Sequence, residues 1–196
     1  MANVRIALVA DSHGRGMNNL MTFYGAEVMA IWRPGVKAQE MLCIIKQLLN
    51  QILAFNPDAC IIHLGHNDVR YHQTKNTEPE FYTSVLLTIK EIGTQIQALV
   101  PSVRIYYSEP FPRTTSWDLN NEEAVSYNRI ARRMSRIARN SHSMMSLRVN
   151  HLWLNVTQAI ADETYYDNGG LHLNQSGKWI VANKWVMTCN QTLPPI

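Results

Sequence analysis

A chain of 196 residues, 46% hydrophobic and 17% charged, has the apolar content for one sizeable core, which excludes a disordered polar segment. Its formal net charge of +3 is too small to name a nucleic-acid or membrane partner by itself. Three cysteines, Cys43, Cys60 and Cys189, form an odd set without a C-x-x-C pair. That argues against a disulfide framework and predicts reduced thiols in an intracellular, cytoplasmic protein.

Residues 1–5 lead straight into a strand-like run, without the apolar stretch and cleavage site of a secretory signal. Nothing approaches the roughly 20 apolar residues of a membrane span. Residues 4–10 are rich in β-branched side chains and predict a buried strand. Gly14 and Gly16 follow, then a helical stretch over 17–24. A second strand over 27–32 stops at the turn signal Arg33-Pro34-Gly35. Residues 38–55 carry Met41, Leu42, Ile45, Leu48, Leu49 and Ile52 on one helical face, and Asn56-Pro57-Asp58 breaks that helix. Residues 59–64 are the most strand-like run, ended by Gly65. The polar stretch 70–80 is the best candidate for a mobile loop. Residues 81–99 repeat the helical period, 103–107 read as a strand, and Pro110 and Pro112 mark a loop. A basic helix is expected over 122–140, a fifth strand over 147–154, a loop at Asn168-Gly169-Gly170 and a closing helix over 175–187. Strands alternating with helices predict one α/β domain over 1–196. It should be a three-layer sandwich on a mostly parallel sheet of about five strands. The Met1-Ala2 start and Pro194-Pro195-Ile196 end fit a domain of a longer protein.

Polar clusters fall where the strands end, the place at which parallel α/β sheets collect functional groups. Asp11-Ser12-His13 follows the first strand, Gly35 the second, and Gly65-His66-Asn67-Asp68 the third; 167–172 precede the last helix. Acyl transfer needs such parts: a serine, a base to take its proton, donors for the oxyanion, and a group to orient the base. Taken singly each has a plain structural reading. Asp-Ser caps helices, Gly35 makes a turn, Asn67 and Asp68 make local turns, and His63 sits inside a strand as a core histidine. Asp68 is expected to bond loop amides, and Asp11 to orient its own loop.

Together the blocks resemble the SGNH (GDSL-like) hydrolases. The usual Gly-Asp-Ser is matched by Ala10-Asp11-Ser12, the second-block glycine by Gly35, Gly-x-Asn-Asp by Gly65-His66-Asn67-Asp68, and the late histidine by His172 in Leu171-His172-Leu173-Asn174. The resemblance implies a flavodoxin-like α/β/α fold and hydrolysis of a carboxylic ester through an acyl-enzyme. Ser12 would be nucleophile, His172 the base, and the Ser12 and Gly35 amides with the Asn67 side chain the oxyanion hole. No metal or organic cofactor is implied. Within the family the wording is most similar to the esterase domain in the first open-reading-frame protein of vertebrate LINE retrotransposons, which implies an acetyl or lipid ester. Ala10 replaces the usual glycine. The aspartate usually found three residues before the histidine is replaced by Gly169; Asp167, five before, is the candidate orienting acid, with a backbone carbonyl or another acid as alternatives.

Two other classes compete. Asp11-x-His13-Gly14 resembles the opening of metal-dependent phosphoesterases, with His63, His66 and His172 as conceivable ligands, but a second aspartate block is missing and the expected Gly-Asn-His-Asp is transposed. A non-catalytic lipid- or nucleic-acid-binding module would keep the fold alone. Arg129, Arg132, Arg133, Arg136 and Arg139 share one arc of about 120° on the basic helix. That arc is either a solvated face or a contact for an anionic surface, phospholipid before nucleic acid.

Overall fold

A computed structural model describes residues 3–72, 79–113, 121–140, 151–154, 156–168 and 170–191. The apolar runs become strands β1 (Val4–Ala10), β2 (Ala26–Trp32), β3 (Ala59–His63), β4 (Arg104–Ser108) and β5 (His151–Leu154). Between and after them lie α1 (Met17–Phe23), α2 (Ala38–Phe55), α3 (His66–His72), α4 (Pro79–Leu99), α5 (Asn121–Asn140) and α6 (Gln175–Gln191). The five strands pair in the order β2-β1-β3-β4-β5, every pair parallel. The expected mostly parallel sheet of about five strands is therefore what forms.

Side chains on a strand alternate between faces, so an unbroken apolar run must be covered on both sides. On one face Ala7, Val9, Cys60, Ile62, Ile105 and Tyr107 pack with Met41 and Ile45 of α2, Ile92 of α4 and Met134 of α5. On the other, Ile6, Leu8, Ile61 and Tyr106 pack with Met17 and Met21 of α1 and Val181 and Trp185 of α6. Each fully buried large side chain contributes about 1.5–3 kcal/mol of hydrophobic transfer. The apolar face expected on α2 is the one that packs. Its first turn is closed by the Glu40 carboxylate accepting from the Lys37 amide at 3.2 Å. Asn56 (φ 48°) ends it in the left-handed region just before Pro57.

The boundaries differ in places. Residues 70–72 continue α3 rather than opening a loop, and Pro79 and Glu80 already belong to α4; 73–78 lie outside the described residues, as do 147–150 of the expected fifth strand. The short α3 carries no long apolar period, which is why pattern reading passed over it. Among the described residues no helix is long and apolar enough to cross a membrane.

From β1 the chain crosses to β2 on one side, and β3 lies on the other. The β1 and β3 carboxyl ends therefore diverge, and the crevice between them is where such sheets bind ligands. The turn carrying Ser12 and the first turn of α3, which carries Asn67, open into it.

Candidate active site

After β1 the chain makes a single 3-10 turn over Ser12–Gly14. Asp11 caps it, its Oδ1 accepting from the His13 amide at 3.0 Å. A Cβ on Gly14 would stand 2.8 Å from the Cβ atoms of both Ala10 and Trp32, so only glycine lets the turn lie flat against β2. Ser12 is thereby held half-buried at the strand end, as expected for Asp11 orienting its loop. Gly65 has φ 107°, a conformation that favours glycine, and turns β3 abruptly into α3 to bring His66 and Asn67 beneath Ser12's loop.

The two residues most distant in sequence meet. Ser12 Oγ lies 3.0 Å from His172 Nε2. His172 sits on a segment shaped by its own bonds: Asp167 N–H donates to His172 O at 2.9 Å, Gly170 N–H to Asp167 O at 2.9 Å, and Tyr166 bridges Leu173. Asp167 folds back toward the histidine, but its Oδ2 is 3.8 Å from His172 Nδ1, an ion-pair separation beyond hydrogen-bond reach. Its Oδ1 accepts instead from the His172 backbone N–H, at 3.4 Å. Burial, and then the His13 ring, lower the pKa of His172, while Asp167 and Asp11 oppose them. A lowered pKa keeps the imidazole neutral, the form a base needs.

Asn67 is buried, and its Nδ2 donates to Val36 O at 3.0 Å and faces Asp11 Oδ2 at 3.5 Å. The first bond clips the loop after β2 to the start of α3. Gly35, next to Val36, has φ 72° and is exposed. Asp68 accepts from Ala38 N–H with both oxygens, at 3.3 and 3.1 Å, so it caps α2 in the loop-bonding role expected of it.

Sequence reasoning missed the polar cluster under the serine. The Asp11 carboxylate is fully buried, with His13 Nδ1 2.9 Å from one oxygen and His66 Nδ1 3.1 Å from the other. Burial alone would raise its pKa; His66 and His13 outweigh that and hold it well below the ordinary carboxylate range. The His13 and His66 rings stack at 4.1 Å, and His63 stands edge-on to His66 at 4.7 Å. Burial pushes His66 down to about 4 and His63 well below its ordinary value. The density of histidine at 13, 63 and 66, each at a strand end, was the available signal.

One ligand atom from each of His13, His63 and His66 lies within 4.8 Å of the others, a spacing that invites a metal. The donor chemistry refuses it. The Phe111 amide donates to His66 Nε2 at 2.8 Å, which puts the proton of a neutral ring on Nδ1 and leaves His66 no lone pair for a cation. His172, a conceivable ligand in the phosphoesterase reading, has its Nε2 on Ser12. His63 is fully buried in the core with its Nδ1 bonded to Ser108 Oγ at 3.2 Å, whereas its Nε2 has no partner among the described residues.

Ser12 and His172 open into a cavity of about 380 Å³, lined also by His13, Arg15, Trp32, Pro34, Asp167, Leu173 and Lys178. Another cavity, of about 410 Å³, is lined by Glu109, Arg113, Asn128, Arg132 and Tyr166 among others, and includes neither Ser12 nor His172. On α5, Arg129, Arg132, Arg133 and Arg136 are exposed, while Tyr127, Ile130, Ala131 and Met134 are buried. The Arg139 side chain lies outside the described residues.

A parallel α/β/α sandwich with a serine–histidine pair at its β1/β3 crevice has the architecture of a hydrolase. The GDSL-like Lipase/Acylhydrolase family model matches residues 18–180, and the chain belongs to that family, among the carboxylic ester hydrolases. Solved structures agree on the fold. A GDSL-like lipase from Bacteroides thetaiotaomicron superposes with TM-score 0.67 at 14% identity, over 96% of this chain and 89% of that one. A family 3 carbohydrate esterase from Clostridium thermocellum gives 0.61 at 18% identity, over 96% and 98%. A lipase from a goat rumen metagenome gives 0.67 at 10% identity, over 95% and 97%. No curated protein matches the sequence significantly.

Proposed function

We propose that the chain is a serine esterase in which Ser12 is the nucleophile and His172 the general base. The observation that carries this is the 3.0 Å approach of Ser12 Oγ to His172 Nε2 at the mouth of a cavity. His172 Nε2 takes the Ser12 proton as Oγ bonds to the ester carbonyl carbon. The tetrahedral oxyanion is met by the Ser12 and Gly35 amides and by the side-chain amide of Asn67. The C–O bond to the alcohol then breaks, His172 returning the proton to the leaving oxygen. Water repeats the sequence, releasing the acid and restoring Ser12. Asp167 favours the imidazolium electrostatically from 3.8 Å.

The cavity supports an acetyl or other short acyl ester: Trp32, Pro34 and Leu173 offer apolar walls, and Arg15 and Lys178 place positive charge at its edge. Such a substrate accords with the resemblance to the retrotransposon esterase domain. The test is hydrolysis of p-nitrophenyl esters across acyl lengths, with fluorophosphonate labelling. Ser12→Ala should abolish both, and a chelator should change neither. Full activity in Ser12→Ala, or activity lost to a chelator and restored by metal, would overturn the serine mechanism.

The exposed arginines of α5 favour an additional reading, in which the enzyme works at an anionic lipid surface. Each basic residue near such a surface contributes about 1 kcal/mol, so the set matters where one would not. Arg129, Arg133 and Arg136 changed together to Glu should abolish binding to anionic liposomes and leave soluble-ester hydrolysis intact. Wild-type indifference to anionic liposomes and to nucleic acid at low salt would reduce the arc to a solvated face.

A further inference from the structure

We propose that His13 is a positioning residue that holds the base loop against the nucleophile loop. This rests on reading Ser12 and His172 as nucleophile and base. His13 immediately follows Ser12, and its ring is buried. Its Nδ1 lies 2.9 Å from Asp11 Oδ1, and its Nε2 lies 3.2 Å from the carbonyl oxygen of Leu171, the residue immediately before His172. One ring thus bridges the residue before the nucleophile to the residue before the base.

The bridge matters because of how the base segment is held. The bonds that shape residues 164–174 run within the segment: Asn174 Nδ2 to Thr164 O at 2.6 Å, Asp167 N–H to His172 O at 2.9 Å. They fix its curvature, while Tyr166 and Leu173 anchor it in the core beside Leu8 and Ala10 of β1. Immediately beside the base, the segment meets the first loop through His13 to Leu171 and Ser12 to His172 itself. The second contact is broken and remade in each turnover, whereas the first persists. A displacement of 1 Å in reacting groups can cost on the order of 100-fold in rate.

Each nitrogen of the His13 ring faces an acceptor. The ring packs beside the buried Asp11 carboxylate, with His66 stacked at 4.1 Å and His63 edge-on at 5.7 Å. On the solvent side stands the His172 ring, 5.0 Å away, faced in turn by Asp167 and Lys178. After burial, the His13 ring is the next cause lowering the pKa of His172, so the bridge that places the base also helps to keep it neutral.

Two substitutions divide the bridge. Asparagine puts its amide nitrogen where Nδ1 was and can keep only the Asp11 contact. Glutamine puts its amide nitrogen where Nε2 was and can keep the tie to Leu171 O. Steady-state hydrolysis of p-nitrophenyl acetate at alkaline pH should show His13→Asn reduced about 10- to 100-fold in kcat, with KM within about 3-fold. His13→Gln should recover most of that loss. In both variants the acid limb of kcat/KM should move to higher pH, because a ring that lowers the pKa of His172 is gone. Thermal melts separate these effects from unfolding. Should His13→Asn melt early, the His13→Gln pH profile still decides, since a merely structural ring would leave the limb in place. Ser12→Ala is measured alongside. An active Ser12→Ala overturns the underlying serine mechanism. An inactive Ser12→Ala with a fully active His13→Asn, or with an unmoved limb in His13→Gln, overturns the bridge alone.

Discussion

Replacing Asp167 by Asn should slow the enzyme only modestly, and the reason is a distance. In the step that charges His172, a carboxylate 3.8 Å from Nδ1 stabilises the imidazolium through space, without a shared hydrogen. Two unit charges at that separation interact by about 1 kcal/mol in water and about 4 kcal/mol at an effective dielectric of about 20. The His172 and Asp167 side chains are 39% and 44% exposed, so solvent screening selects the lower end. About 1 kcal/mol corresponds to roughly a 5-fold loss in kcat. A buried acid hydrogen-bonded to its histidine is worth about 10,000-fold by contrast. The assay is steady-state p-nitrophenyl acetate hydrolysis by wild type, Asp167→Asn and Asp167→Ala, with labelling of Ser12 as a check on the nucleophile. A loss beyond about 100-fold would refute the reasoning: the acid would then have to close onto Nδ1 when substrate binds. No loss at all would pass the orienting role to another group.

Asn67→Ala should lower kcat by about 100- to 1000-fold with KM little changed, the pattern of a lost oxyanion donor; an unchanged kcat would leave Asn67 only its clip to Val36 O. The kcat/KM of the wild type should rise with pH along an acid limb whose midpoint lies below 6.5, because His172 is lowered and works as a base; a midpoint above 6.5 would contradict this. Stability should fall as pH drops from about 6.5 toward 4, since unfolded His66 takes up a proton that buried His66, at about 4, refuses. That difference amounts to roughly 3 kcal/mol by the acid end, read as a fall in Tm of about 6–12 °C; a Tm constant across that window would show that His66 is charged in the fold. Gly93→Ala would set a Cβ 2.5 Å from Tyr107 Oη and 2.9 Å from Ile105 Cγ2 and should cost about 1–3 kcal/mol, measured by urea denaturation.

The strands and long helices were legible because their signals are local: β-branched runs at 4–10 and 59–64 must be covered on two faces, and α2 announces its buried stripe and its Asn56-Pro57 stop. The site residues were legible as types in a fixed order at strand ends, and Ser12 and His172 do meet. Their spacing could not say how near Asp167 would come, because that depends on a turn closed by Tyr166, Leu173 and Asn174 across the loop. The Asp11, His13 and His66 cluster was not foreseen either. Three titratable side chains from two strand ends become a network only when parallel pairing sets Ala10 opposite His63, and no single window contains both.

The bond between Ser12 and His172 spans 160 positions of chain, nearly the full length of the protein. Nucleophile and base therefore meet only when the segment before α6 has returned to the end of β1. Contacts of such long sequence separation carry the largest loop-closure cost. A chain still emerging from the ribosome, or trapped with its C-terminal helix undocked, holds an ordinary serine of no special reactivity. Fluorophosphonate labelling during refolding thus reports that long-range closure, whereas far-UV circular dichroism reports the helices. The protein carries its own stopwatch for assembly: chemistry begins only when topology is finished.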